Sequence, residues 1–269
     1  MNKMLLLLTA VVLFLISSFC GCLNSQSTDY FNEEYFVEEN TVLSVSTING
    51  QIEIIGWDED YISFNAIKKS NFGRDELDLV KIDVNQDDGK IDIEAYYIGE
   101  RISQPSVDMN IKLPIYVYVD MVSTSNGAID ISNVKGDLKA STSNGGIFIN
   151  DVEGYVTASS SNGRIQIDDT DGVFDLTSSN LGIDAEIFDF LEDIEIGTSN
   201  GAIELYINPS LNANLDIQTS NGFITIDDNL GLIMSLSEDK HKTGQLGDGG
   251  NNIDVHTSNG NIRIYELDI

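Results

Sequence analysis

Carboxylates are the side chains that this sequence offers most freely for chemistry. It carries 44 Asp and Glu against 14 Lys and Arg, a formal net charge of −30. Asp168, Asp169 and Asp171, just ahead of Gly172, read like the opening of a calcium loop. Asp87-Asp88-Gly89 and Asp227-Asp228-Asn229 are similar. A hard cation takes roughly 6–8 oxygen ligands, including an acid that closes the cage. No closing Glu stands at the required spacing, and turns attract Asp and Asn for local reasons. Calcium is thus the one cofactor left open, with loose cation screening as the competing use of these acids.

A second grouping is Asp184, Glu186, Asp189, Glu192, Asp193 and Glu195. Glycan cleavage needs two carboxylates at a set separation in a cleft. The bland account, which we favour, is the solvated face of alternating strands. Nucleophilic catalysis has less to draw on. His241 lies between Lys240 and Lys242, His256 stands in the column held elsewhere by Ser46, Ser123, Ser141 and Ser159, and the many Ser and Thr recur too regularly to mark a triad. No catalytic residue is assigned. The acidity leaves no counter-charge for a phosphate backbone, which excludes nucleic acid as a partner.

The elements that position these side chains announce themselves as a repeat. Thr/Ser-Ser-Asn-Gly recurs at Asn126-Gly127, Asn144-Gly145, Asn162-Gly163, Asn200-Gly201, Asn221-Gly222 and Asn259-Gly260, with diverged copies at Asn49-Gly50 and Asn180-Leu181-Gly182. Asp88-Gly89, followed by Ile91 and Ile93, reads as a further copy. Successive Asn spacings from 126 are 18, 18, 18, 20, 21 and 38. Ile stands three residues after the Asn in every copy, from Ile52 to Ile262, and a small or aliphatic residue stands four before it. Alternation of period two means half-buried strands; only Arg74–Lys81 shows a weak helical pattern. The Asn-Gly pair is expected to supply positive φ at one turn, and the Gly of Asn133–Gly136, Asp151–Gly154 and Asp169–Gly172 to serve the other.

The fold expected is all-β: a β-solenoid, or β-helix, of roughly 18–21-residue rungs. A hairpin meander is the alternative. Stacking is favoured because it puts like on like, with an Ile ladder inside and an Asn ladder whose amides bond rung to rung. Regular rungs run from 121 to 269, with an inserted loop near 237–252, and the 18-residue rungs from about 121 to 193 are the most regular. Residues 40–120 form a less regular N-terminal part.

The N-terminus reads as an export signal over 1–21. Lys3 precedes an apolar run from Met4 to Ile16, and Phe19-Cys20-Gly21-Cys22 resembles a lipoprotein cleavage box with Cys22 as acceptor. The alternative is an uncleaved N-terminal helix that anchors the chain. Either places the remainder outside the cytoplasm, at the outer face of the cell membrane. No cysteine follows Cys22, so the later chain has no internal disulfide and no thiolate. The acidic stretch 22–39 is expected to be a tether.

Two stretches bring a family into view. Thr47-Ile48-Asn49-Gly50-Gln51-Ile52-Glu53-Ile54-Ile55-Gly56-Trp57-Asp58 resembles the opening of the putative-adhesin family of bacterial and archaeal cell-envelope proteins, a domain-of-unknown-function family. Val107-Asp108-Met109-Asn110-Ile111-Lys112-Leu113-Pro114, just before the regular rungs, resembles it too. The resemblance covers roughly residues 40–269. It implies an extracytoplasmic β-helical domain, often lipid- or membrane-anchored, and brings no catalytic residues. The departure is at Asn180-Leu181-Gly182, where the second-turn Gly is missing and Phe188-Asp189-Phe190 follows. The expectation is a structural, adhesion or interaction module with a protein or glycan partner. An envelope-stress sensor or accessory subunit, and a glycan-active enzyme, are the alternatives. Phe148, Phe223, Tyr116 and Tyr118 are the aromatics expected to face outward and to point to a binding face.

Overall fold

The computed structural model describes residues 26–99 and 105–268. The leader at 1–21 and the acceptor Cys22 lie outside them. Pairing between units is parallel, which settles the architecture as a β-solenoid. Each rung is a strand before its Asn on a front face and a strand after it on a back face.

The front face stacks Lys90–Tyr97, Val42–Asn49, Tyr118–Asn126, Leu138–Thr142, the second halves of Ile147–Ser160 and Ile165–Ser178, Ile194–Thr198, Asn252–Thr257 and Ala213–Thr219. The back face stacks Ser106–Pro114, Ile52–Trp57, Ile129–Lys135, the first halves of the same two long strands, Ile183–Ile187, Ile203–Ile207, Ile262–Glu266 and Ile224–Ile226. The Ile three after each Asn is buried in every rung, and Val45, Val122, Ala140, Ala158, Leu176, Ile196, Ile217 and Val255 meet it from the front face in one continuous core.

Each residue of the corner motif has its own task. The buried Thr or Ser two before the Asn donates its hydroxyl hydrogen to a backbone carbonyl of the neighbouring rung. Thr124, Thr142, Ser160, Ser178, Thr198, Thr257 and Thr219 all do so, at 2.9–3.1 Å. The Asn side chains form a single file. Asn144, Asn162, Asn180, Asn200, Asn259 and Asn221 each donate Nδ2–H to the Oδ1 of the preceding rung's Asn at 2.7–3.1 Å, and Asn126 does the same to Asn49. Asn49 starts the file by donating to the Tyr97 hydroxyl at 2.6 Å.

The glycine answers to a different constraint from the one expected. Gly50 has positive φ, but Gly127, Gly145, Gly163, Gly201, Gly222 and Gly260 do not. A Cβ on any of these six would sit 1.5–2.3 Å from a carbonyl oxygen of the adjacent rung. Close backbone approach, and not turn geometry, excludes a side chain. At the opposite corner positive φ falls on Asn133, Asp151 and Asp169, ahead of the expected glycines, although Gly136 and Gly154 also have it. Asn and Asp tolerate that region better than other residues with a Cβ.

Rung order departs from chain order. The Asn259 rung lies between the Asn200 and Asn221 rungs. Ser237 to Asn252 is not a loop: His241–Leu246 pairs antiparallel with Ala213–Thr219 and carries Ile233–Ser237 on its far side, capping the front face. Asp88-Gly89 is a hairpin turn with positive φ at both residues, and its following strand joins the front face, where true copies place theirs on the back. At the same end, Tyr61–Ser70 and then Ser27–Phe36 continue the back face antiparallel. The stretch expected as a tether therefore contains a strand. An edge strand needs only one packed side, and Phe31 and Tyr35 supply it, with Phe31 5.2 Å from the Phe64 ring. The weak helical pattern becomes a 3-10 turn at Asp75–Leu79. The Asn180 rung keeps its place in the file despite its missing glycine: Thr198 donates to the Leu181 carbonyl, and Phe190 is buried.

Two substitutions separate these tasks. Gly163→Ala forces two rungs apart, and we expect a loss of about 3 kcal/mol in chemical denaturation. Asn162→Ala removes two exposed amide links, its own to Asn144 and that of Asn180 to it, at about 1 kcal/mol in all. Equal effects would show that the glycine is there for chain flexibility alone.

Candidate interaction surfaces

In-register stacking turns each outward column of the sequence into a ladder with rungs about 4.8 Å apart. Five residues before the Asn, the front face carries Asp175, Glu195, Asp254 and Asp216 on four successive strands. Both histidines come to this ladder. His241 Nε2 is 2.9 Å from Asp216 Oδ1, and His256 Nε2 is 3.5 Å from Glu195 Oε1. The His256 ring lies over Gly197, where a Cβ would come within 2.5 Å of it. Asp254 sits between the two pairs. Partial desolvation first, then Asp216, Asp193 and Glu195, raise the pKa of this exposed carboxyl, with His256 in partial opposition.

The back face repeats this logic four residues after the Asn, through Glu53, Asp130, Phe148, Gln166, Asp184, Glu204, Arg263 and Thr225. Here the acids are relieved by neighbours. Arg164 pairs with Asp184 at 2.6 Å, Arg263 with Glu204 at 2.5 Å, and Asn110 donates to Glu53. Asp130 and Asp184 still have raised pKa values, in each case chiefly from burial.

The six acids from 184 to 195 do not share a cleft. Asp184 and Glu186 are on the back face and Glu195 is on the front. At the corner between, Asp189 accepts from the Tyr155 hydroxyl, and Asp193 accepts from the backbone and side chain of Asn252. Of the calcium candidates, Asp168 accepts from Gln166 at 2.8 Å, and Asp169 donates its N–H to Glu186 at 3.0 Å. Asp169 and Asp171, with Asp151, Glu153, Glu186 and Asp268, line an open groove of about 430 Å³ beside Phe188. Among the described residues no three His, Cys, Asp or Glu gather with a geometry that could hold a metal ion.

The aromatics do not form one patch. Phe148 folds across Gly146 in the middle of the back face. Tyr116 is half-buried, its single hydroxyl hydrogen shared between the Val37 and Asp60 carbonyls at 3.4 and 3.3 Å, and Tyr118 is exposed at the start of its strand. Phe223 is 73% exposed at the opposite end, with Lys240 5.1 Å from its ring centre.

The front-face ladder has a pH consequence. The folded chain holds the Asp254 proton more tightly than the unfolded chain does. Stability therefore falls as pH rises from the ordinary value of 3.8 through the raised folded value, and the deficit persists at neutral pH. We expect Asp254→Asn to raise Tm at pH 7 by roughly 1–3 °C. The gain should vanish below pH 3.8, where the wild-type side chain is protonated too. An unchanged or lowered Tm at pH 7 would count against a strained ladder.

A search among curated proteins found no match. Among solved structures, a putative cell adhesion protein from Clostridium sporogenes is 15% identical, covering 88% of this chain and 100% of its own, at a TM-score of 0.35. A putative adhesin from Bacteroides fragilis is 10% identical, covering 88% and 97%, at 0.41. A putative lipid binding protein from Parabacteroides distasonis is 13% identical, covering 87% and 96%, at 0.33. Those scores carry no argument about what this chain does. The sequence itself does match a family profile, described as Toastrack DUF4097, over residues 34–265. That match takes in the rungs and the capping strands except most of Ser27–Phe36, and the chain belongs to the Toastrack DUF4097 family.

Proposed function

We propose that this chain is an interaction module of the cell envelope, held at the outer face of the membrane through Cys22, and that it is not an enzyme. The observation that carries the reading is the division of labour between the ladders. Hydroxyls, amides and aliphatic side chains are spent on holding rungs together. The outward columns five before and four after the Asn are left as two long acidic faces, and the carboxylates of those columns are spread along the stack one rung apart. A rigid rod with dispersed charge suits presentation and recognition better than bond cleavage. Adhesin names recur among the solved neighbours, but the proposal rests on the surface and on the leader sequence.

The anchor and the absence of catalysis are tested separately. We expect the native N-terminal peptide, by mass spectrometry, to begin at Cys22 and to carry added lipid. We also expect Cys22→Ala to shift the protein out of the membrane fraction. An unmodified Met1 would overturn the lipid anchor. On a broad glycan panel we expect no cleavage; turnover that Asp184→Asn or Glu195→Gln abolishes would overturn the non-enzymatic reading.

A further inference from the structure

A stacked solenoid leaves four sheet edges, and this chain treats one of them differently. At one end, Val80–Asp87 carries Lys81, Asp83 and Asp87, and Ser27–Phe36 carries Asp29, Glu33 and Glu34. Charges along an edge block pairing with another chain. At the other end the back face stops at Ile224–Ile226, only three residues long. The front face stops at Ile233–Ser237, which holds no charged residue. Ile233 is 68% exposed and Met234 39%, and Leu236 is half-buried. This strand projects past the end of the core with apolar side chains in solvent. Its one guard is a bulge between Met234 and Leu236.

Charge identifies the occupant. The chain carries a net −30, so most approaches of two copies set acidic faces together. The hairpin segment Leu232 to Leu246 is the exception: Glu238 and Asp239 are balanced by Lys240 and Lys242, with Asp227 and Asp228 in the turn just before it. The front-face acids nearest the edge, Asp216 and Asp254, stand on the second and third strands in from it, about 10 and 14 Å away at about 4.8 Å per strand, so the hairpin itself keeps the acids of two facing copies more than a Debye length of about 8 Å apart. A two-fold axis through the edge sets the strand antiparallel to itself, an isologous contact between two neutral hairpins.

We propose that the Ile233–Ser237 edge pairs with the same edge of a second copy, joining two solenoids tip to tip. This rests on the reading of the chain as an interaction module and names a partner for it. A five-residue pairing is small beside the ~1,000 Å² of a stable interface, so the dimer is weak and transient.

The test uses the full chain, extracted in detergent, with light scattering and sedimentation over a concentration series. The wild type should show a dimer that grows with concentration. Ile233→Lys and Ser235→Lys, both at exposed positions, should each weaken it at least tenfold with Tm unchanged. If one of them lowers Tm, the other decides. Phe36→Lys, at the exposed apolar position of the opposite end, should leave it intact. A wild type that stays monomeric to its solubility limit would overturn the inference, as would a dimer that survives both edge variants or is lost in Phe36→Lys. Those results bear on the tip alone; an unmodified N-terminus or glycan turnover bears on the interaction-module reading alone.

Discussion

The close approach of backbones at the Asn corner is the constraint on which the rest of the structure depends. Adjacent rungs come so near there that a Cβ would overlap a carbonyl oxygen. That nearness is also what lets a Thr hydroxyl reach across to the next rung's carbonyl and one Asn amide reach the next. Burying the hydroxyl costs little because its hydrogen bond is always made, and no buried side-chain polar atom among the described residues lacks a partner. With the corner fixed, register is fixed. A slip of one residue would turn the Ile columns outward and break both ladders together.

The same register creates the acidic faces. In a parallel in-register stack, identical columns are neighbours, so a column rich in Asp and Glu becomes a row of like charges. Asp175 to Asp216 on the front face is such a row. The chain moderates it with histidines on the front face and with Arg164, Arg263, Asn110 and Gln166 on the back. What remains is a surface that discourages lateral association of long β-structure while its charge keeps the rod soluble.

Much of this was legible in the residues because a repeat states each constraint many times. The Ile, Val and Thr/Ser columns identify the core and the buried hydroxyls, and the Asn file follows from stacking like on like. The cause of the glycines was not legible, since close approach and positive φ both demand Gly. The strand at Ser27–Phe36 was hidden because an edge strand with one packed side needs only Phe31 and Tyr35, set among acids. The meeting of Glu195 with Asp254 and His256 was hidden because rung order is not chain order. Aligning the column five before each Asn would have grouped Asp175, Glu195, Asp216 and Asp254, but not in sequence.

That permuted order bears on how the chain reaches its fold. A solenoid that stacks in sequence can add each rung as it emerges. Here the Asn221 rung must wait for residues more than 30 positions further along, because its parallel neighbour on both faces is the Asn259 rung, Asn252–Thr257 and Ile262–Glu266. The far end of the rod is therefore closed last, by contacts with a long separation in sequence and a correspondingly high cost in loop closure. Without the Asn259 rung the edge of the Asn200 rung stands open on both faces, and the Asn221 rung is left to meet it directly, a stacking order the native fold never uses.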